Sequence, residues 1–294
     1  MGVLKDKVAI VTGAGRGLGR QHALFLALQG VKVVVNDLGG AKDGTGADDT
    51  PAQGVVQEIE ALGGEAIADG GDVAETADAE ALIDRAVSAF GHLDILVNNA
   101  GVLRDRVIVN LEDEDWDLVQ RVNLRGSFLT LRAAARYWRR ESKAGREVTG
   151  SVVNTSSESG TFANPGQANY ASAKSGVATL TQVAAKELGR YGVRVNAILP
   201  RARTRLTEGD FVKPPVEGEF DRWDPANVAP FVAYLASPSC TLTGEVFLVG
   251  GSRIQRVAPW TLDPKWKLDQ VGRWSIDTLT SAVSTVVPTP IECV

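Results

Sequence analysis

Short apolar runs alternate along the chain with longer stretches whose apolar positions recur every three or four residues. That alternation predicts βα units around a parallel sheet. The runs Val8–Val11, Lys32–Asn36, Glu65–Ala68, Ile95–Asn98, Ser151–Thr155, Val193–Leu199 and Glu245–Val249 read as strands buried on both faces. Helices are predicted over Leu18–Gln29, Ala77–Phe90, Asp113–Arg140, Tyr170–Tyr191 and Asn227–Ala236, with Gly30, Gly91, Gly192 and Pro238 as stop signals. The expected fold is α/β, one doubly wound parallel sheet of about seven strands with helices on both faces. Leu38–Gly54, rich in Gly, Asp and Thr, is expected to be an exposed loop, and the irregular segment 201–225 a lid over a site. The expected division is a domain over 1–251 and an extension over 252–294. The extension carries Trp260, Trp266 and Trp274 and is expected to pack on the domain or a partner.

Composition removes several function classes. The 294 residues carry a formal charge of −5 with 44% hydrophobic and 23% charged residues, ordinary for a globular chain. No apolar run approaches the ~20 residues that cross a bilayer, and mild acidity argues against nucleic acid as a partner. Met1–Lys7 is expected to lead straight into a strand rather than carry an export signal, so Cys240 and Cys293 are expected as free thiols in the cytoplasm. His22 and His92 stand without CxxC or HExxH spacing, and no metal site is expected.

The chemistry concentrates where predicted strands end. After the first strand come Gly13, Ala14, Gly15, Arg16, Gly17, Leu18 and Gly19, then a helix. Without Cβ atoms such a turn bends tightly and lets the backbone meet a pyrophosphate at a helix N-terminus, so a dinucleotide is the expected ligand of a Rossmann-like domain. Asp37 ends the second strand at about the ~20-residue offset where a carboxylate accepts hydrogen bonds from ribose hydroxyls. It also repels a 2′-phosphate, which makes NAD the expected cofactor; Arg16 is the contrary signal. Asp72 and Val73 are candidates for the adenine edge, and Asn99, Ala100 and Gly101 for contact at the end of the fourth strand. Tyr170 and Lys174 lie four residues apart and share a helix face, where a fixed cation would lower the phenol pKa from ~10 and fit it for proton transfer. Ser157, after the fifth strand, is placed to hydrogen-bond a reacting oxygen.

In order and spacing, Thr12 to Gly19, Asn98 to Gly101, Asn123, Ser157, Tyr170 and Lys174 resemble the short-chain dehydrogenase/reductase pattern, over about Lys5 to Gly251. The resemblance implies Tyr170 as general acid/base, Lys174 on the nicotinamide ribose, Ser157 polarising the carbonyl and Asn123 holding a relay water. It implies strand order 3-2-1-4-5-6-7 and a homodimer or homotetramer built on the long helices. Pro200 is followed by Arg201-Ala202-Arg203-Thr204 rather than the family's Pro-Gly, leaving Thr204 as the candidate for the nicotinamide amide contact. Asn36–Gly40, Leu103–Arg106, Asp113–Asp117 and Arg121–Phe128 are similar to the (3R)-hydroxyacyl-CoA dehydrogenase branch found in peroxisomal multifunctional enzymes. Ile291–Val294 is no peroxisomal address, so a free-standing cytoplasmic enzyme is expected. The expected substrate is an acyl-CoA, drawn by the arginines of Arg201–Arg205 with Lys213; a basic loop balanced by Glu208 and Asp210 is the competing reading. A hydroxysteroid dehydrogenase, a 3-oxoacyl-carrier-protein reductase and a catalytically silent dinucleotide sensor are the alternatives.

Overall fold

Residues 2–40, 46–204, 218–258, 260–264 and 266–286 are described by a computed structural model. Arg205, Glu208, Asp210, Lys213 and Cys293, with residues 291–294, lie outside them. In chain order the elements are β1 (Val8–Thr12), α1 (Gly17–Leu28), β2 (Lys32–Asn36), α2 (Thr50–Ala61), β3 (Ala66–Asp69), α3 (Thr76–Phe90), β4 (Ile95–Asn98), α4 (Asp113–Val119), α5 (Gly126–Lys143) and β5 (Gly150–Thr155). There follow α6 (Ser159–Phe162), α7 (Ala168–Leu188), β6 (Val193–Pro200), α8 (Ala229–Ala236), β7 (Val246–Gly250), β8 (Arg253–Val257) and α9 (Ile276–Val283).

The strands bury both faces, so successive residues serve opposite cores. Ala9 and Val11 of β1 join Val33, Val35, Val97 and Val153 in a core closed by Leu26 of α1, Ile59 of α2 and Leu235 of α8. Val8 and Ile10 join Val34, Leu96, Val152 and Val195 under Leu82 of α3, Trp138 of α5 and Leu188 of α7. Each fully buried aliphatic side chain is worth ~1.5–3 kcal/mol, which fixes the strand register on both sides.

The sheet order is β3-β2-β1-β4-β5-β6-β7-β8. β1 through β7 pair in parallel and β8 runs antiparallel to β7. The winding reverses between β1 and β4, and a doubly wound sheet opens its ligand crevice there, outside the carboxyl ends of the strands.

Four expectations change. The sheet has eight strands rather than about seven, because Gly251 takes a positive φ of 56° and turns the chain back along β7. Since Arg253–Val257 belongs to the sheet, the chain divides after Val257 rather than after Gly251. The loop expected over Leu38–Gly54 ends early: α2 starts at Thr50, has Pro51 in its first turn, and buries Ala52, Val55 and Ile59 along one face. The helix expected over Asp113–Arg140 is broken by a π-helical turn, Gln120–Arg125. In the unit Ala258–Val294, α9 opens on a capping box in which the Ser275 hydroxyl accepts from the Thr278 N–H.

Candidate active site

A crevice of about 430 Å³ opens at the carboxyl ends of the strands. Its floor is stitched together by Thr12, whose Oγ1 accepts from the N–H groups of Asn99 at 3.0 Å and Ala100 at 3.1 Å. The Asn99 amide donates back to the carbonyls of Thr12 and Gly13, both at 3.0 Å. These bonds lock the glycine loop onto the exit of β4. Gly13 holds φ at 61°, and a Cβ there would stand 2.7 Å from Ala100 Cα; a Cβ on Gly19 would stand 2.1 Å from the Gly13 carbonyl oxygen. Gly13, Arg16, Gly17 and Leu18 line the crevice. Gly15 and Gly19 do not; they let the loop pack on Asp37 and on itself.

Asp37 faces the same space from the end of β2. Its Oδ2 accepts from the Gly15 N–H and its Oδ1 from the Gly39 N–H, each at 2.7 Å. One carboxylate thus ties the glycine loop to the turn after β2 while remaining at the crevice wall. Asp72 and Val73 line the same end. Asp72 accepts from Arg121 at 2.7 Å and from the Ala74 N–H at 2.9 Å, and Arg121 also bonds Glu75 at 2.6 Å.

At the other end Ser157, Tyr170, Lys174 and Asn123 converge, with Asn99, Ala100, Gly101, Pro200 and Thr204 along the same walls. One turn of α7 sets Lys174 Nζ 5.6 Å from the Tyr170 ring centre, and this ammonium donates to the Thr155 carbonyl at 2.8 Å. Burial pulls Lys174 down to about 8. The Tyr170 phenol is pushed up to about 12, first by desolvation; its bond with Ser157 works against that rise and the charge of Asp105 adds to it. Desolvation of the phenolate thus sets the direction, upward, opposite to the lowering expected from Lys174.

Asn123 sits within the π-helical turn, fully buried, and donates to the carbonyls of Val102 at 2.9 Å and Val119 at 3.0 Å. Its Oδ1 has no partner and points at Gly101, where a Cβ would stand 2.6 Å away. A buried, unpartnered acceptor in a glycine-walled crevice is a place for a ligand or a water, and a flat, hydrogen-bonding ring and its ribose fit it.

Several contributors, among them Thr130, Asn154, Gln167 and Thr181, carried no sequence signal of their own, and residues that did carry one pair with partners the sequence did not name. Asn98 donates to Asn154 Oδ1 at 2.9 Å and accepts from Thr130 at 2.7 Å, and Asn154 donates to Thr181 at 2.9 Å, a buried polar chain under the site. Asp105 accepts from the Gln167 amide, and Gln167 accepts from Ser159 at 2.7 Å, fastening Leu103–Arg106 to the entry of α7. Arg201 grips Glu158 through two bonds at 2.6 and 2.5 Å, and Arg203 pairs with Asp221. Among the described residues these pairings neutralise the basic patch expected at 201–205.

A second cavity, of about 490 Å³, lies at the opposite ends of the strands. Within it Asp94 contacts Lys7 and His92, both at 2.9 Å, and Glu141 pairs with Arg146. His22 is fully buried and burial pulls its imidazole down to about 3, so it is neutral. Among the described residues no three His, Cys, Asp or Glu side chains are grouped to hold a metal, and no helix is long and apolar enough to cross a membrane.

The short chain dehydrogenase family profile matches residues 7–209, which include the glycine loop and the Ser157, Tyr170 and Lys174 cluster. The chain belongs to the short-chain dehydrogenase family. It is 46% identical over 289 residues, 95% of this chain and 88% of the relative, to hydroxyacyl-CoA dehydrogenase ChsB1 of Mycobacterium tuberculosis. It is 44% identical over 254 residues to peroxisomal multifunctional enzyme type 2 of Drosophila melanogaster, covering 86% of this chain and 39% of that enzyme. A crystal structure of a short chain dehydrogenase from Mycobacterium avium matches with a TM-score of 0.86 at 48% identity, over 98% of each chain. The chain is an oxidoreductase acting on CH–OH groups of small molecules, and its family uses NAD or NADP.

Proposed function

We propose that this dehydrogenase uses NAD to interconvert (3R)-hydroxyacyl-CoA and 3-ketoacyl-CoA. The observation that carries the reading is the convergence of Ser157, Tyr170 and Lys174 on one crevice whose far wall presents the Asp37 carboxylate. Gly13, Gly17, Leu18, Asp37, Asp72, Val73, Asn99, Ala100 and Gly101 would hold the dinucleotide, with Lys174, Pro200 and Thr204 at its nicotinamide end and Arg16 beside the phosphates. Bound there, it supplies a hydride acceptor for alcohol oxidation. Tyr170 takes the hydroxyl proton, Ser157 hydrogen-bonds the same oxygen, and Asn123 Oδ1 holds a water behind Lys174 through which that proton leaves. The rise of the phenol to about 12 suits it as the proton donor in the reductive direction. In the oxidative direction Tyr170 acts as the base, with Ser157 holding the hydroxyl oxygen and the Lys174 ammonium one helical turn away.

The acyl-CoA assignment is supported by the relatives named for that activity and by Leu103–Arg106, which is fastened beside Tyr170. We further infer a homodimer or homotetramer in the cytoplasm. A spectrophotometric panel decides the substrate: NADH absorbance is followed with (3R)- and (3S)-hydroxyacyl-CoA esters, steroid alcohols and the acyl-carrier-protein thioester. The (3R)-acyl-CoA is expected to give the highest kcat/KM. A steroid alcohol turned over better than every acyl-CoA would overturn the substrate, and light scattering that found only a 31.2 kDa species would overturn the assembly.

A further inference from the structure

Of the charged side chains that line the crevice, Arg16, Asp37, Asp72 and Arg121 stand at the dinucleotide end, and Lys174 lies beneath Tyr170. Glu158 and Arg201 remain, on the walls next to Ser157. Glu158 follows Ser157 directly and opens α6, whose last residue donates its N–H to the Glu158 carbonyl at 2.7 Å. Arg201 follows Pro200 at the end of β6, held by its N–H on the Val249 carbonyl at 2.8 Å. The glycine at position 250 leaves room for it, since a Cβ there would stand 2.5 Å from Arg201 Cβ. The guanidinium reaches back to Glu158 with Nε on Oε2 at 2.6 Å and Nη2 on Oε1 at 2.5 Å.

This fork-on-fork contact uses the Nε–Nη2 edge of the guanidinium, one of the two edges that can receive a carboxylate, and cancels its charge. An unpaired arginine beside Ser157 would attract an anion to the reacting carbon's neighbourhood, and an unpaired glutamate would repel one. Paired, they leave the substrate side electrically neutral. We propose that the Glu158–Arg201 pair is a specificity element that makes the site select a neutral ester or thioester carbonyl beside the reacting carbon over a free carboxylate. The proposal deepens the hydroxyacyl-CoA reading, because a thioester is such a neutral group and the corresponding 3-hydroxy acid is not.

The test uses small probes that do not depend on coenzyme A. The full-length protein with reduced dinucleotide is given ethyl acetoacetate or acetoacetate, and the ester-to-acid ratio of kcat/KM is measured. For a probe that is bound but not turned over, the ratio of inhibition constants replaces it. The wild type is expected to favour the ester. In Glu158→Gln the released arginine should lower the ratio by about tenfold, less at high salt, since the pair is partly exposed. In Arg201→Gln the released carboxylate should raise it, and the double variant should return toward the wild-type value. Ratios within twofold of wild type in both single variants, or shifts of the same sign, would overturn the proposal. Dinucleotide fluorescence and Tm check that each variant is folded, and should one single variant fail to fold, the sign in the other decides. Reduction of the keto ester without oxidation of any hydroxyacyl-CoA would remove the coenzyme A reading while leaving the ratio to judge the pair.

Discussion

Changing Asp37 to asparagine separates what this carboxylate does for the cofactor from what it does for the loop. A ribose 2′-phosphate carries a charge of about −1.5 to −2 near neutrality. Held ~6 Å from a carboxylate at an effective dielectric of ~40, it is repelled by ~2–3 kcal/mol, and screening at the crevice mouth brings this toward ~1.5. Removing the negative charge should therefore reduce the NAD-over-NADP ratio of kcat/KM by about 10- to 100-fold. The isosteric amide also carries a structural cost. Both oxygens of Asp37 accept from backbone N–H groups, those of Gly15 and Gly39. An amide has one oxygen, so one N–H must face an NH₂ group, at a cost of ~1–3 kcal/mol. Absolute kcat/KM with NAD should therefore fall as well, and Tm should drop by several degrees. The assay is initial-rate kinetics with both dinucleotides at one ionic strength, with Arg16→Ala as the companion variant, since that cation is the one expected to favour NADP. An unchanged ratio in Asp37→Asn would refute the electrostatic reasoning and leave Asp37 only its loop-tying role.

Three more outcomes follow from the geometry. Tyr170→Phe should lower turnover by about 10²–10⁴-fold while cofactor affinity, read by NADH fluorescence, changes less than twofold; retention of a tenth of the activity would remove Tyr170 from the chemistry. Lys174 has a folded pKa of about 8 against 10.5 for the unfolded chain, so the unfolded state binds more protons between those values and stability from this group rises with pH across that window. Lys174→Met should abolish activity and flatten that pH dependence in denaturant titrations, while leaving the Thr155 carbonyl without its 2.8 Å donor; an unaltered slope between pH 8 and 10.5 would contradict it. Asn154→Leu removes one bond each from the Asn98 amide, which keeps the Ser127 carbonyl at 3.3 Å, and from the Thr181 hydroxyl, which keeps the Val177 carbonyl at 2.9 Å, and should cost about 1–2 kcal/mol in chemical denaturation, whatever its effect on turnover.

The sequence made the parallel sheet legible because each strand is buried on both faces, and a continuous β-branched run such as Val33-Val34-Val35 has no stable alternative in water. The crevice end was legible for a related reason: glycines at Gly13 and Gly19 are forced by contacts under 3 Å, so the spacing of the loop is dictated by backbone geometry. What stayed hidden depends on pairings between distant segments. α2 begins in a stretch dominated by Gly and Asp, and its face of Ala52, Val55 and Ile59 becomes a helix only against the sheet. The π-helical turn at Asn123 is invisible to any period of 3.6, yet it is what aims that side chain at Gly101 and keeps its Oδ1 unpartnered. The arginines after Pro200 were counted as a positive patch because charge along a sequence adds, whereas in the fold Arg201 after β6 meets Glu158 after the neighbouring strand β5, 43 residues away. That pairing decides more than the count did. A net positive mouth would draw every anion alike, but a closed ion pair beside Ser157 ranks substrates by whether they bring a charge of their own. Discrimination of this kind resides in the contact between two loops rather than in either one.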